Sequence, residues 1–510
     1  MKKAMAWFIS GFLFISACQL FSSAPSQQAK PAPENPPATE SDSPEPEAPI
    51  DDEFAPFRDG LVQSQQELLD TFSGASMYSI QYTIQDDIIN TDGMAEVRYT
   101  NRESVPLEEV QFRLLPNALS GEMKVASVRV NDQPFEPTYE LQDSLMRVPL
   151  YQPLQPGESV DIAIQFSVTV PSTIESNYGI LAYYDGVLTL AHSYPMIAVY
   201  DDEGWNAEIP PNQGDPTYAD ASFFNVTVDA PGELVLVGSG RETSREENGS
   251  RQIVTYAAGP ARDFYLAASA DYEVISQTVG EVTFNSYAPK EIQDGAELAL
   301  EVAIESIAFF GEEYMSYPYT EFDIVTTPTY ALGIEYPGLV AITDRIYHLQ
   351  GALYGIPNRG LMESVVAHEA GHQWFYNLVG NDQLDEPWLD ESLTQFVTWE
   401  YYREKYGRGV HSFEQSLNGR WSGASDEDIP LGLPVAAYEG SDYSAIIYGR
   451  GAFFFEALRE QMGEKNFDAF MKDYVVSNSW GIGTGENMKE LAEKHCKCDL
   501  TKLFNQWVTP

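Results

Sequence analysis

The chain has 510 residues, room for about two to four domains, and its 43% hydrophobic and 13% aromatic content can fill packed cores. A formal net charge of −48, from 77 acidic and 29 basic residues, argues against a basic phosphate-binding surface, so no nucleic-acid partner is expected. Three cysteines, Cys18, Cys496 and Cys498, exclude a disulfide framework.

Residues 1–18 read as an export signal. Lys2 and Lys3 precede a short apolar run, Ala4 to Ile15, too short to span a bilayer. The run closes on Ile15-Ser16-Ala17-Cys18, which resembles a bacterial lipoprotein signal, with Ile15 where leucine is usual. That resemblance implies an acylated Cys18 and a protein lipid-anchored in the bacterial cell envelope. An ordinary cleaved signal or an uncleaved anchor are the alternatives. Residues 19–55 follow as a tether: 19–53 hold eight prolines with Ser, Ala and Glu, too few large apolar groups to fold.

Residues 56–277 read as an N-terminal β domain. Tyr78, Ile80, Tyr82 and Ile84 alternate with smaller or polar residues, and Val160 through Val170 alternate more cleanly, the pattern of half-buried antiparallel strands. Past about residue 285 the period lengthens. Leu300, Ala303, Ile304, Ile307 and Phe310 share one helical face. A β-rich stretch (322–342) precedes a helix from Pro357-Asn358 to about Leu378, a second from Glu391 to Tyr406, and helical stretches near 448–475 and 486–507. The whole, with residues 278–510 as a mainly α second domain, is an α+β arrangement.

The chemistry concentrates in Val366-Ala367-His368-Glu369-Ala370-Gly371-His372-Gln373-Trp374. His368 and His372 at i and i+4 stack on one helix face and can chelate one ion, and imidazole nitrogen suits zinc. Glu369 points about 100° away from His368, beside the metal rather than on it, where a general base belongs. Eighteen residues on, Glu391 opens a helix that an antiparallel return would bring back over the histidines, as a third ligand. Three protein ligands leave a position for water, the pattern of a catalytic site.

These residues resemble the M1 family of zinc aminopeptidases. The shared features are His368-Glu369-x-x-His372, Glu391 inside Trp388-Leu389-Asp390-Glu391-Ser392, Gly333-Ile334-Glu335-Tyr336-Pro337-Gly338 and Tyr448-Gly449-Arg450-Gly451-Ala452. The resemblance implies an N-terminal β-sandwich or saddle domain on a thermolysin-like catalytic domain. It also implies one Zn²⁺ on His368, His372 and Glu391, with Glu369 as base and Tyr448 as donor to the oxyanion. Peptides are the implied substrates, with Glu335 gripping the free α-amine and Gly333 letting an edge strand approach the substrate. The chain departs from the family at Leu332, Ile334, Tyr336 and Asp390, and no first-domain glutamine is assigned to the amine. Ending at Pro510, it leaves no space for the C-terminal helical-repeat domain of many relatives, which implies a more open site.

Three smaller readings complete the expectation. Tyr443 is a further candidate for the pocket. Arg450 reads as a surface residue, with contact to a peptide carboxylate as the alternative. Cys496-Lys497-Cys498 reads as two surface thiols or a local bridge, with a metal site beside His495 as the weaker option. A zinc endopeptidase or other hydrolase on the same ion, and a surface-tethered binding lipoprotein with a structural metal, are the rival functions. Structural zinc sites are usually closed by four ligands, often cysteine, and no cysteine lies near the motif.

Overall fold

The computed structural model describes residues 53–409 and 411–510; the expected signal and all but the last residues of the expected tether lie outside them. No helix among the described residues is long and apolar enough to cross a membrane.

The first half is β-rich. Its largest sheet has eight strands and is antiparallel apart from one pair, Met77–Ile84 running parallel to Ser222–Pro231. The clean alternation after Val160 becomes strand Ser159–Thr169, with Val160, Ile162, Ile164, Phe166 and Val168 buried. Two four-stranded sheets pack with it around a shared apolar core that includes Phe112, Phe166, Leu188 and Phe224. The segment before the first strand belongs to the other core: Phe54 and Phe57 pack on Phe223, 4.8 and 4.9 Å between ring centroids, alongside side chains of the helical half.

The second half opens with a five-stranded sheet. Hairpin Tyr272–Val279 and Val282–Pro289 leads to Glu321–Thr327, then Leu339–Thr343, and the edge is the short antiparallel strand Gly333–Tyr336. The sheet begins at Tyr272, inside the stretch that alternation assigns to the first domain, because both halves use the same period there. Helix Gln293–Glu313 buries Leu300, Ala303, Ile307 and Phe310, as its spacing requires. It packs on the sheet and on helix Asn358–Gly371, which carries the histidine motif.

The motif helix is shorter than its sequence suggests. It stops at Gly371, and the chain continues in wide turns in which the Asn377, Leu378 and Val379 amides donate to the His372, Gln373 and Trp374 carbonyls at 3.0–3.2 Å. The C-terminal stretches resolve into helices Gly451–Met462, Glu464–Ser477, Gly485–Cys496 and Thr501–Trp507. Gly463, at a φ of +78°, separates the first two.

The halves are clamped by one cation. Arg262, buried on the first-half side, donates to the carbonyls of Tyr376 (3.2 Å), Asn377 (3.1 Å) and Gly481 (2.6 Å) in the helical half, and to Ala219 (3.1 Å) in its own. Without it these carbonyls would be left as unpaired acceptors. Cys496 and Cys498 form a disulfide across one residue, so the pair is a local bridge; His495 hydrogen-bonds Asp473 instead, at 2.8 Å. Arg450 is not on the surface. It is buried, donating to the Trp507 (2.8 Å) and Gln506 (3.1 Å) carbonyls and lying 4.5 Å from the Trp507 ring.

Candidate metal centre and active site

The histidine pair and Glu391 meet as the spacing requires. His368 Nε2 lies 3.1 Å from Glu391 Oε2 and 3.2 Å from His372 Nε2, and His372 Nε2 lies 3.4 Å from the same carboxylate oxygen. A tetrahedral ion with ligand distances of about 2.0–2.1 Å holds its donors about 3.3–3.4 Å apart, so the three atoms stand at zinc spacing. His372 Nδ1 donates to the Phe375 carbonyl at 2.9 Å, which the wide turn after the helix presents to it. That bond leaves Nε2 as the free lone pair, aimed at the common point. His/His/Glu is therefore a donor set that fits zinc in type, tautomer and separation.

Glu391 sits in a single π-helical turn, Trp388–Ser392, and Tyr448 in another, Ile446–Arg450. Extra-wide turns of this kind recur at functional sites because they re-aim side chains. The two are tied together: Ser392 Oγ donates to the Ile447 carbonyl at 2.7 Å, and Tyr448 Oη donates to Glu391 Oε1 at 2.5 Å. A Cβ on Gly451 would run into the Ser392 hydroxyl, so this glycine lets the turns abut.

Glu335, Glu369 and His372 form a second cluster whose ligand atoms lie within 4.8 Å of one another. Glu335 comes from the edge strand, which Gln373 pins to the motif helix: its amide donates to the Tyr336 carbonyl (3.0 Å) and its oxygen accepts from Gly338 N–H (2.9 Å). Gln383 bridges Glu335 (3.2 Å) and Asp390 (2.9 Å) and accepts from Thr217 (2.9 Å) of the first half. Burial, and then neighbouring carboxylates, push the Glu335, Glu369 and Asp215 carboxyls well up. Burial pulls His372 down, but Glu335 and Glu391 outweigh it and hold the imidazole well above its ordinary value. Such a cluster favours a cation among its members.

Asp215, Thr217, Glu335, His368, Glu369, Gln383, Glu391 and Tyr448 line one cavity of about 990 Å³, with Tyr443 beside them, its ring 5.8 Å from that of Tyr448. Gly333 has a task that its sequence does not suggest. A Cβ there would stand 2.5 Å from Glu369 Cγ and 2.6 Å from Cδ, so the missing side chain makes room for the Glu369 carboxylate. Asp215, Thr217 and Gln383 had no sequence signal, because nothing in their spacing links them to the motif. Gln213 also lines the cavity, but its amide donates to the Tyr438 (3.0 Å) and Val435 (3.3 Å) carbonyls.

Residues 298–507 match the Peptidase family M1 domain. The stretch 298–507 is thus similar to an M1 peptidase domain. The surrounding chain is 26% identical to Aminopeptidase M1 of Arabidopsis thaliana over 298 residues, 56% of this chain and 33% of that protein. It is 23% identical to Aminopeptidase M1-B of Oryza sativa over 406 residues, 77% and 45% of the two chains. The chain thus spans less than half the length of these relatives. Its fold, first half included, is that of the M1 zinc metallopeptidase from Deinococcus radiodurans, with a TM-score of 0.63 at 19% identity over 85% of this chain and 93% of the other. The M1 domain accounts for the motif helix, the Glu391 turn and the Tyr448 turn together.

Proposed function

We propose that this protein is a zinc-dependent aminopeptidase, releasing N-terminal residues from peptides. The observation that carries it is the pairing of two sites: a three-donor zinc set that leaves a position open, and a buried Glu335 beside it whose carboxylate has no arginine or lysine partner among the described residues. His368, His372 and Glu391 would hold the ion, which when bound polarises a carbonyl and lowers the pKa of water toward about 7. Glu369, wedged against Gly333, takes the proton of the attacking water and hands it to the leaving amine. Tyr448 Oη, now donating to Glu391, turns to the oxyanion developing on the scissile carbonyl. Glu335 pairs with the α-ammonium, held in place by Gln383 and by the Gln373 contacts to its strand, and so sets the register at one residue.

The test compares aminoacyl reporters with free and acetylated amines, with and without a chelator. Free-amine substrates alone should turn over, chelation should stop turnover, and zinc should restore it. Glu335→Ala should damage free-amine hydrolysis far more than that of blocked peptides, and Glu369→Gln should bind zinc without turnover. Equal cleavage of blocked and free substrates would point to an endopeptidase.

The setting is part of the proposal: residues 1–18 direct export, and Cys18 carries a lipid that fixes the protein to an envelope membrane through the 19–55 tether. Cys18→Ala should move the protein from the detergent-extracted to the soluble fraction; retention in the membrane would contradict this.

A further inference from the structure

Six carboxylates line the cavity, Asp215, Asp263, Glu335, Glu363, Glu369 and Glu391, and against them a single arginine or lysine among the described residues, Arg420. In a chain of net charge −48 a lone cation in an acidic cavity should be claimed by a neighbour. It is not. Arg403 and Arg459 pair with Glu400 and Glu456, and Arg345 and Arg450 with carbonyls, but the Arg420 guanidinium has no hydrogen bond or ion pair among the described residues. Its one partner is the face of Tyr448, with Cζ 5.6 Å from the ring centroid.

Its position is built. Arg420 ends helix Ser412–Trp421, and that end lies against Gly449, where a Cβ would stand 2.6 Å from Trp421 N and 3.1 Å from Arg420 Cβ. The glycine beside Tyr448 thus admits the helix end that sets the guanidinium over the tyrosine. The side chain is open to the cavity, yet enclosure by the cavity walls lowers its pKa from the ordinary value. It also lies on the opposite flank from Glu335. Glu335 groups with Glu369 and His372, whereas Arg420 groups with Tyr448, whose ring is 6.1 Å from that of His368. The cavity is acidic on the flank proposed for the α-amine and carries its one arginine among the described residues beside Tyr448, which matches a zwitterionic peptide laid across the metal donors.

We propose that Arg420 receives a carboxylate on the leaving-group side of the scissile bond, so that the protein prefers peptides bearing that charge close behind the bond it cuts. The inference rests on the aminopeptidase reading. The carboxylate has two possible sources, the C-terminus of a short peptide or an acidic side chain. A planar guanidinium with free N–H donors takes either, with two parallel hydrogen bonds.

The test is a ratio. For the holoenzyme, kcat/KM is measured on Leu-Gly, Leu-Gly-Gly and Leu-Gly-Gly-Gly against their C-terminal amides, and on Leu-Asp-Gly-amide against Leu-Asn-Gly-amide. Hydrogen bonds to a charged group predict an acid preference of about tenfold to a hundredfold for at least one pair. The first series reports a C-terminal carboxylate and its reach, the second an acidic side chain. Arg420→Gln should bring the preferred ratio to near one, and Arg420→Lys, which keeps the charge but loses the planar fork, should leave an intermediate ratio. Ratios near one for every pair in the wild type, or a preference unchanged in Arg420→Gln and Arg420→Lys, overturn the proposal while leaving the aminopeptidase reading intact. Failure of the wild type to cut any free-amine peptide overturns both.

Discussion

Gly333→Ala isolates the position of one carboxylate. Gly333 does not adopt a left-handed φ, so alanine meets no backbone penalty there. Its methyl carbon would stand 2.5 Å from Glu369 Cγ and 2.6 Å from Cδ, where carbon atoms normally rest about 3.5–4.0 Å apart. Glu369 must therefore retreat by about 1 Å, since the edge strand is held in place by the two Gln373 hydrogen bonds and by its pairing with Leu339–Thr343. A displacement of that size in a reacting group costs about a hundredfold in rate, or ~2.7 kcal/mol of barrier. The three atoms nearest the new methyl all belong to Glu369, so zinc content should stay at one per chain. The assay is kcat on leucine 4-nitroanilide, with metal content and melting midpoint measured on the same preparation. A zinc-replete, folded Gly333→Ala with kcat within about threefold of wild type would refute the claim that Gly333 exists to seat Glu369.

Three further outcomes follow from the structure. Arg262→Met strips a donor from buried carbonyls on both halves, at a cost of about 3 kcal/mol or more, read as a lower urea midpoint; an unchanged midpoint would show that the clamp is dispensable. Glu321 is pushed up to about 7 from 4.5, first by burial and then by Glu242, so its ionised form opposes folding. That penalty is absent below about pH 4.5, grows to pH 7 and is then constant, so Glu321→Gln should gain ~3 kcal/mol over wild type at pH 8 and nothing at pH 4; a pH-independent gain would sink the assignment. Gly451→Ala pushes on Ser392 and should lower zinc affinity and kcat together, whereas Tyr448→Phe should lower kcat with zinc affinity near wild type. Equal effects on zinc affinity would undo that distinction.

How much of this was legible beforehand depends on the range of each interaction. The histidine pair is local, fixed by a helix repeat, and His368 and His372 stand as that repeat places them. Alternation also gave strand Ser159–Thr169 residue by residue, because its period is fixed by the pleat. The boundary near residue 277 was blurred, since the hairpin from Tyr272 has the same period as the strands before it. The helix end at Gly371 was hidden because the residues after it, Gln373 to Leu378, are as good at forming helix as those before. The wide turn there is chosen by tertiary packing, in part by the Phe375 carbonyl on His372. Arg450 was misplaced for the opposite reason. Charge suggests a surface, but a guanidinium can be buried when backbone carbonyls of a distant helix, here Gln506 and Trp507, accept its protons. Asp215, Thr217, Gln383 and Arg420 had no signal at all, because their meaning comes only from the cavity they share.

The glycines near the site join these observations. Read as sequence, Gly333 suggests backbone brought close to a substrate. In the fold the common effect of these glycines is to give space to another side chain. Gly333 yields to Glu369, Gly449 to the helix end carrying Arg420, and Gly451 to Ser392. Each of those side chains bears on the position of a reacting or recognising group: the base itself, the cation beside Tyr448, and the hydroxyl that ties the Glu391 turn to the Tyr448 turn. Gly449 and Gly451 flank Arg450, which anchors the same π-turn to the C-terminal helix. Tyr448 is therefore fixed from three directions, by the Arg420 helix, by Ser392 and by the C-terminus, while its hydroxyl alone remains free to exchange Glu391 for another acceptor. A donor so placed needs little reorganisation when charge develops on a carbonyl in front of it, which is the condition under which one hydrogen bond contributes about 3 kcal/mol to a transition state.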